Sequence, residues 1–544
     1  MTASLVATAG FRCDDLAGWQ TVCAEGWNWK IRPDHADEWQ RQLLFHPLKS
    51  STGTIIKRGP HRTVRRLDAL TGGGTYFLKV FHRSGWRTRW KQLLRGVAAD
   101  WEFSRYRLAV RRQVPTAEVV AVGFQTGWSS QSALVTRGIE QAFPLDDWLR
   151  ERPQKLTVVQ RRALAEELGE LIARLHSRGV VHRDLHGGNI LLRPAPGGFR
   201  LWLVDLAPLR FLRECPAEAV LAQNLGRLRH SVLEQLSQAD QAAFFHAYWR
   251  LFSGNAVGKV LPWRGDQHFA WRELSYRCDE VARCAWEEMD RAWNRGNSKQ
   301  IVIKTPRILA RGLARFGRDQ LEARCRLADP EGSSLETIPM ASRQMTAEPL
   351  ETALRVVTRP ASSSSPAGAS WARHCWNIGH ALARRWISAP MPVYVLESRS
   401  PGVDWGEVAF AKELGWTLLS SQTSEWERIA PGAIDLLKRF HNLGFTHAAL
   451  SLSAIEVCQA DGRWQCRFGS LDFIQQARTV SLSQRCADLQ PLAADLSRRR
   501  EVSLSMQLRW LKRCLAPNAS AQWKNCWRAI SPSIPRPMPK LRAA

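Results

Sequence analysis

Residues 42–82 alternate apolar and polar side chains in short runs broken by turn residues. Thr54-Ile55-Ile56-Lys57 leads into Arg58-Gly59-Pro60, and Thr63-Val64-Arg65-Arg66-Leu67 follows. Gly72-Gly73-Gly74 then turns the chain into Thr75-Tyr76-Phe77-Leu78-Lys79-Val80-Phe81. A period of two bounded by such turns predicts strands. Residues 86–112 lack proline and predict a helix, and Val119–Val122 and Ser132–Thr136 predict two more strands. The period then lengthens. Leu164, Leu168, Leu171, Ile172 and Leu175 recur at spacings of three and four, one apolar stripe of a helix that Thr157 caps and Gly179 ends. Ile190-Leu191-Leu192 and Leu201-Trp202-Leu203-Val204 flank a Pro/Gly turn and predict a hairpin, and residues 216–300 are helical in pattern. Strands first and helices later make this an α+β chain.

Length and composition then set the domain plan. At 544 residues, 44% of them apolar, the chain is too long for one ordinary domain and too apolar for general disorder. Residues 1–40, with Trp19, Trp27, Trp29 and Trp39, read as an extension packed on the main domain, which spans 41–310. Residues 311–370, with Asp329–Ser334 and Ser362–Pro366, read as a linker or eroded region. Order resumes over 371–515, and 516–544 is a basic, Pro-rich tail. The net charge of +27 favours anionic surfaces, an anionic membrane among them. The chain has no nucleic-acid recognition motif, so a nucleic-acid partner finds no support beyond charge. The 12 cysteines include no Cys-x-x-Cys pair and predict reduced thiols. With no apolar run long enough to span a bilayer and no leader pattern, the expected location is the cytoplasm, against the inner face of a membrane.

The chemistry concentrates in Val181-His182-Arg183-Asp184-Leu185-His186-Gly187-Gly188-Asn189-Ile190, with Asp205 at the end of the next hairpin. A His-Arg-Asp triplet, an Asn after four intervening residues and a downstream Asp form the pattern of kinase-like phosphotransferases. Phosphoryl transfer needs a carboxylate to take the acceptor's proton and oxygen ligands for Mg2+. Asp184 fits the first role and Asn189 and Asp205 the second, with His182, Arg183 and His186 in support. Lys79, on an apolar strand, is the expected ligand of the ATP phosphates, and Glu102 on the next helix is its expected ion-pair partner. Lys57 and Gly59 lie where a phosphate-covering loop belongs, although it holds one glycine and not three. Leu134–Gly138, including Thr136 and Gly138, falls where an interlobe hinge would hold adenine. The expected architecture is a bilobal kinase-like fold, with a β-rich N-lobe and a helical C-lobe.

Tyr76-Phe77-Leu78-Lys79, the 182–192 segment and Leu203-Val204-Asp205 resemble the lipopolysaccharide kinase (Kdo/WaaP) family, and residues 224–249 are similar to that family's C-terminal helices. The resemblance covers about residues 45–300. Departures from protein kinases agree with it: His186 stands where a lysine is usual, Leu206-Ala207 follows Asp205 in place of Phe-Gly, and no Ala-Pro-Glu segment follows. The resemblance implies ATP and Mg2+ as cofactors and, as acceptor, a sugar hydroxyl (Kdo or heptose) of a lipopolysaccharide core glycolipid. A protein kinase, another small-molecule kinase, or a catalytically silent scaffold are the other readings.

His441–Ile455 aligns without gaps to His176–Ile190, which predicts a second, degenerate kinase-like copy in which Asp184 becomes Ala449 and Asn189 becomes Ala454. Ser470-Leu471-Asp472 falls near the place of Leu203-Val204-Asp205. Tyr394-Val395-Leu396-Glu397 resembles a hinge strand, Trp376-Asn377 matches Trp101-Glu102, and Leu354–Thr358 is a third strand without its lysine. Such a copy would dock on the first domain or bind an acceptor or a protein partner, and transfer nothing.

Overall fold

The computed structural model describes residues 18–37, 53–82, 98–255, 267–328, 354–399, 405–515 and 523–530, apart from 25, 60–61, 69–73, 126–130, 152–155, 296–298, 361–369, 423 and 461. The chain divides into two compact units, 1–282 and 283–544. Residues 86–97 of the expected first helix, the Asp329–Ser334 and Ser362–Pro366 stretches and the tail from 531 lie outside the described residues.

The first unit opens with the hairpin β1 (Gln20–Ala24) and β2 (Trp27–Ile31), continues with β3 (Thr54–Arg58), β4 (Arg62–Asp68), β5 (Thr75–Phe81) and helix α1 (Ala98–Arg111), and closes its sheet with β6 (Val119–Gln125) and β7 (Ser132–Arg137). The seven strands lie in the order β1-β2-β6-β7-β5-β4-β3. The Trp-rich N-terminal segment is therefore an edge hairpin of this sheet. Trp27, Trp29 and Ile31 are buried with Leu67, Tyr76 and Leu78 in one apolar layer, so alternation in β2 and β5 directs one face inward.

A short strand β8 (Phe143–Pro144) and helix α2 (Leu145–Glu151) lead to α3 (Val158–Ser177), which the apolar stripe foretold. Thr157 caps α3 as expected: its hydroxyl accepts from the Gln160 amide while the Gln160 side chain accepts from the Thr157 amide. The chain continues through β9 (Val180–His182), the hairpin β10 (Ile190–Ala195) and β11 (Gly198–Leu203), β12 (Leu209–Phe211), α4 (Glu218–Ser231) and α5 (Gln238–Asn255) to α6 (Gln267–Arg295). Leu164, Leu168, Leu171 and Ile172 of α3 bury against Phe244, Tyr248 and Phe252 of α5. Gly169 permits that approach, because a Cβ there would lie 2.3 Å from the Phe244 carbonyl oxygen. A β-rich lobe followed by a helical one matches the α+β, kinase-like expectation.

The second unit carries β13 (Gln300–Lys304), β14 (Ile308–Leu313), α7 (Arg318–Ala328), β15 (Leu354–Pro360), α8 (Trp371–Arg384), β16 (Pro392–Ser398) and β17 (Trp405–Ala411). Their order is β13-β14-β16-β17-β15. Residues 300–313 form the hairpin whose β14 hydrogen-bonds to β16, so 300–310, expected inside the main domain, sit with the second unit. The region expected as a linker contributes α7 and β15. Then come β18 (Thr417–Leu418), α9 (Trp426–Asn442), β19 (Phe445–His447), β20 (Ile455–Ala460), β21 (Arg463–Phe468), β22 (Ile474–Gln476), α10 (Leu482–Ser497), α11 (Leu504–Leu515) and α12 (Trp523–Ile530).

Candidate active site

Strand β5 brings Lys79 to the inner end of a cleft of about 460 Å³ in the first unit, whose walls include Lys57, Phe77, Thr136, Asn189, Leu191 and Asp205. The Lys79 ammonium stands 2.6 Å from Glu102 Oε1 and 3.4 Å from Asp205 Oδ1. Glu102 projects from α1 and its side chain is 5% exposed. The expected Lys79–Glu102 pair is thus formed, with Asp205 as a third member. Glu102 Oε2 is buried without a hydrogen-bond partner among the described residues.

Asp205 takes a left-handed backbone conformation, φ 56°, at the end of β11. That conformation costs a non-glycine residue roughly 1–2 kcal/mol, strain of a kind that gathers at functional sites. Burial pushes the Asp205 carboxyl up, but Lys79 and the guanidinium of Arg62 outweigh it and hold it at about 2. The group is therefore fully ionised at neutral pH. Its ion pairing is complete above the ordinary carboxylate range near 4 and is lost as pH falls toward 2.

His182 ties the two acidic loops together. It is fully buried, and burial lowers its pKa. Nδ1 accepts from the Asp184 amide at 3.2 Å, so Nε2 carries the proton and donates to the Asp205 carbonyl at 3.1 Å. Asn224 of α4 anchors the strand by accepting from the His182 amide. The Asp184 side chain is 60% exposed, with His186 Nε2 at 3.8 Å and Arg227 Nη1 at 3.7 Å. His186 Nδ1 accepts from the Gly188 amide, which turns Nε2 toward Asp184. Arg183 is exposed, and its amide donates to the Pro208 carbonyl. Asn189 is buried and its Nδ2 donates to the Asp184 carbonyl at 2.9 Å, which leaves Oδ1 as the end able to meet a cation. A carboxylate and an amide oxygen are the hard donors Mg2+ prefers, so Asp205 and Asn189 fit that ion.

Two expectations need correction. Gly59 is not among the cleft-lining residues: its N–H is spent on the Arg62 carbonyl, and a Cβ there would meet nothing nearer than 3.5 Å. Gly138 does line the cleft, but its N–H donates to the Thr75 carbonyl at 2.7 Å and cannot reach a ligand. Its glycine identity serves packing, since a Cβ would lie 2.2 Å from Thr75 Oγ1. Lys57 and Thr136 line the cleft as expected. Sequence reasoning missed Arg62, which grips Asp205 with Nη1 at 3.3 Å and Nη2 at 3.1 Å, and Arg227 beside Asp184. The signal for Arg62 was the run of basic residues around a turn with one glycine.

The second unit repeats this framework in its hydrogen bonds. In β9/β12 His182 pairs with Leu209; in β19/β22 His447 pairs with Ile474. The His447 amide donates to Asp488 where that of His182 donates to Asn224, and the Ala449 amide donates to His447 Nδ1 as Asp184 does to His182. Hairpin β20/β21 pairs Ile455 with Phe468, as β10/β11 pairs Ile190 with Leu203, and the Gly469 amide donates to Ala454 as Val204 does to Asn189. Counted in this register, the position of Asp205 is held by Ser470. Asp472 falls at Ala207, where it binds Trp371 and Arg359. The N-terminal elements obey the same logic. Lys79 pairs with Leu134, which pairs with Val122; Val357 pairs with Val408, which pairs with Val395. Both outer pairings carry a bulge, at Val119/Ala121 and at Pro392/Tyr394. Counted by these pairings, Val357 of β15 is level with Lys79 of β5. Tyr394–Glu397 lies in the counterpart of β6, and the hinge strand's counterpart is β17. Helices α1 and α8 end alike, at Gln113 with φ 53° and Trp386 with φ 58°. Counting back from there sets Cys375, not Asn377, level with Glu102.

Residues 63–248 match the model of the Lipopolysaccharide kinase (Kdo/WaaP) family. A 3-deoxy-D-manno-octulosonic acid kinase of Xanthomonas axonopodis pv. citri (strain 306) is 28% identical over 186 residues, which cover 31% of this chain and 70% of that protein. A protein of the same description from Xylella fastidiosa (strain M12) is 35% identical over 86 residues, 16% of this chain and 32% of its own length. The solved structure described as WaaP in complex with acyl carrier protein aligns at 20% identity over 48% of this chain and 99% of that chain, with a TM-score of 0.33.

Proposed function

We propose that this kinase, whose residues 63–248 match the lipopolysaccharide kinase (Kdo/WaaP) family, transfers the γ-phosphoryl group of ATP to a sugar hydroxyl, Kdo or heptose, of the lipopolysaccharide inner core. The observation that carries the reading is the Lys79–Glu102–Asp205 triad at the end of a cleft that also holds Asn189. Lys79, held by Glu102, grips the ATP phosphates. Thr136 lies on the cleft wall toward the adenine end. Asp184 accepts the proton of the attacking hydroxyl. Asn189 and Asp205 would hold Mg2+, which when bound neutralises charge on the transferred group. An intact triad disfavours a silent scaffold for this unit.

Among the described residues no helix is long and apolar enough to cross a membrane. A net charge of +27 supports residence at an anionic inner-membrane surface on its cytoplasmic side, where such a glycolipid would be met. The purified protein with labelled ATP and Mg2+ should label a lipopolysaccharide core glycolipid, and Asp184→Ala should remove that label. Label on a generic protein acceptor alone would move the assignment to protein phosphorylation.

We infer further that residues 283–544 contain a second copy of the kinase scaffold that lost the chemistry. Lys79, Glu102, Asp184, Asn189 and Asp205 correspond to Val357, Cys375, Ala449, Ala454 and Ser470. The remaining role of such a copy is to bind a protein partner or the acceptor. Calorimetric titration of the full chain with MgATP should give one site per chain, and Lys79→Met should leave none. A surviving site in that variant would sink the idea that the second copy is empty of nucleotide chemistry.

A further inference from the structure

Arg62 is the first residue of β4, directly after the turn that should cover the phosphates, and its guanidinium grips both carboxylate oxygens of Asp205. The fork is 31% exposed, lines the cleft and feels the charges of Glu102 and Asp184 as well as that of Asp205. Two facts make this more than a surface ion pair. Asp205 already has Lys79 at 3.4 Å, so Arg62 is a second cation on one carboxylate. And the Gly59 N–H, the one glycine amide of the segment, is tied to the Arg62 carbonyl itself. That amide is not available to a phosphate, whereas the Arg62 side chain lines the cleft.

We propose that Arg62 is a phosphate-binding residue that exchanges partners: it holds Asp205 in the nucleotide-free chain and moves to the β- or γ-phosphate when MgATP enters. The proposal rests on the phosphotransferase reading above and extends it to a residue outside the expected site. The exchange follows from the chemistry of the groups. Both oxygens of Asp205 are engaged by the guanidinium, so a divalent cation and Arg62 compete for the same carboxylate. A guanidinium displaced from it, still on the cleft wall, finds in a phosphate the other anion its planar fork fits bidentately. No bond is made or broken in the step. One ion pair replaces another, and the cleft reaches the chemical step with its cations already on the triphosphate.

The competition gives the test two readouts of opposite sign in the full-length protein. Arg62→Met should bind Mn2+ alone, measured by the loss of the free-ion paramagnetic resonance signal, several-fold more tightly than wild type, because Asp205 has lost its internal cation. The same variant should bind MgATP roughly 10-fold or more weakly, the loss of charge-assisted hydrogen bonds to phosphate. Arg62→Lys, which keeps the charge without the fork, should fall between the two on both scales, and thermal melting shows that each variant is folded. A merely structural Arg62 would weaken both ligands together, and that result overturns the proposal. So does unchanged Mn2+ affinity, or MgATP binding to Arg62→Met as tight as to wild type. A wild-type chain that binds Mn2+ but no ATP would instead fell the phosphotransferase reading, and this proposal with it.

Discussion

Asp184→Ala should lower the rate of phosphoryl transfer by about 10²- to 10⁴-fold, the usual range for a lost general base. MgATP affinity and the melting temperature should stay close to wild type. The contrast follows from the surroundings of Asp184. Its carboxylate is mostly exposed, its nearest basic side chains, Arg227 and His186, stand 3.7 and 3.8 Å away, and no short ion pair depends on it. Exposed groups of that kind change stability by within about 0.5 kcal/mol. What holds the loop is the backbone: the Asp184 amide on His182 and its carbonyl on Asn189, and alanine keeps both. Measuring initial rates with labelled ATP beside a melting curve checks the claim. A variant that loses rate and fold together would show Asp184 to be a strut and not a base.

Lys79→Met should do the opposite to stability. Glu102 is buried, its Oε2 has no partner among the described residues and its Oε1 rests on Lys79. Removing the lysine strands a carboxylate in the interior, a loss of roughly 3–5 kcal/mol when one member of a buried pair is deleted. Nucleotide binding should vanish as well. The double variant Lys79→Met/Glu102→Met separates the two effects. With no charge left to desolvate, it should recover most of the melting temperature and none of the activity. Equal destabilisation in the single and double variants would mean that Glu102 is compensated elsewhere. On the proposed reading of the second unit as a degenerate copy, Val357 and Cys375 stand at the two positions.

The loop that carries Asp184 and Asn189 was legible because its chemistry is written in consecutive residues, and the stripe of α3 because a helix repeats locally. Sheet register was not. Which residue of α8 stands level with Glu102, and whether Tyr394–Glu397 or β17 is the hinge strand, depend on bulges and helix ends that pair segments far apart in the chain. One bulge moves every later residue by one position, and no local pattern reports that. Asp472 misled for the same reason: an acidic residue two positions from the needed one looks like a match until the hairpin is counted. Arg62 stayed hidden because its partner lies 143 residues away. Gly59 and Gly138 drew attention as glycines, yet the N–H of each is committed to the fold.

The buried histidine of the loop outlives its neighbours. His447 keeps the bond from the second following amide that His182 makes, in a unit where the aspartate, the asparagine and the lysine positions have all been replaced. On the proposed reading of the second unit as a degenerate copy, a histidine at this place marks the scaffold and says little about turnover. On that reading, a search by the whole three-residue signature gives weight to a letter that the second unit keeps without the other two. Scoring the aspartate, the asparagine and the strand lysine alone would separate working copies from retired ones.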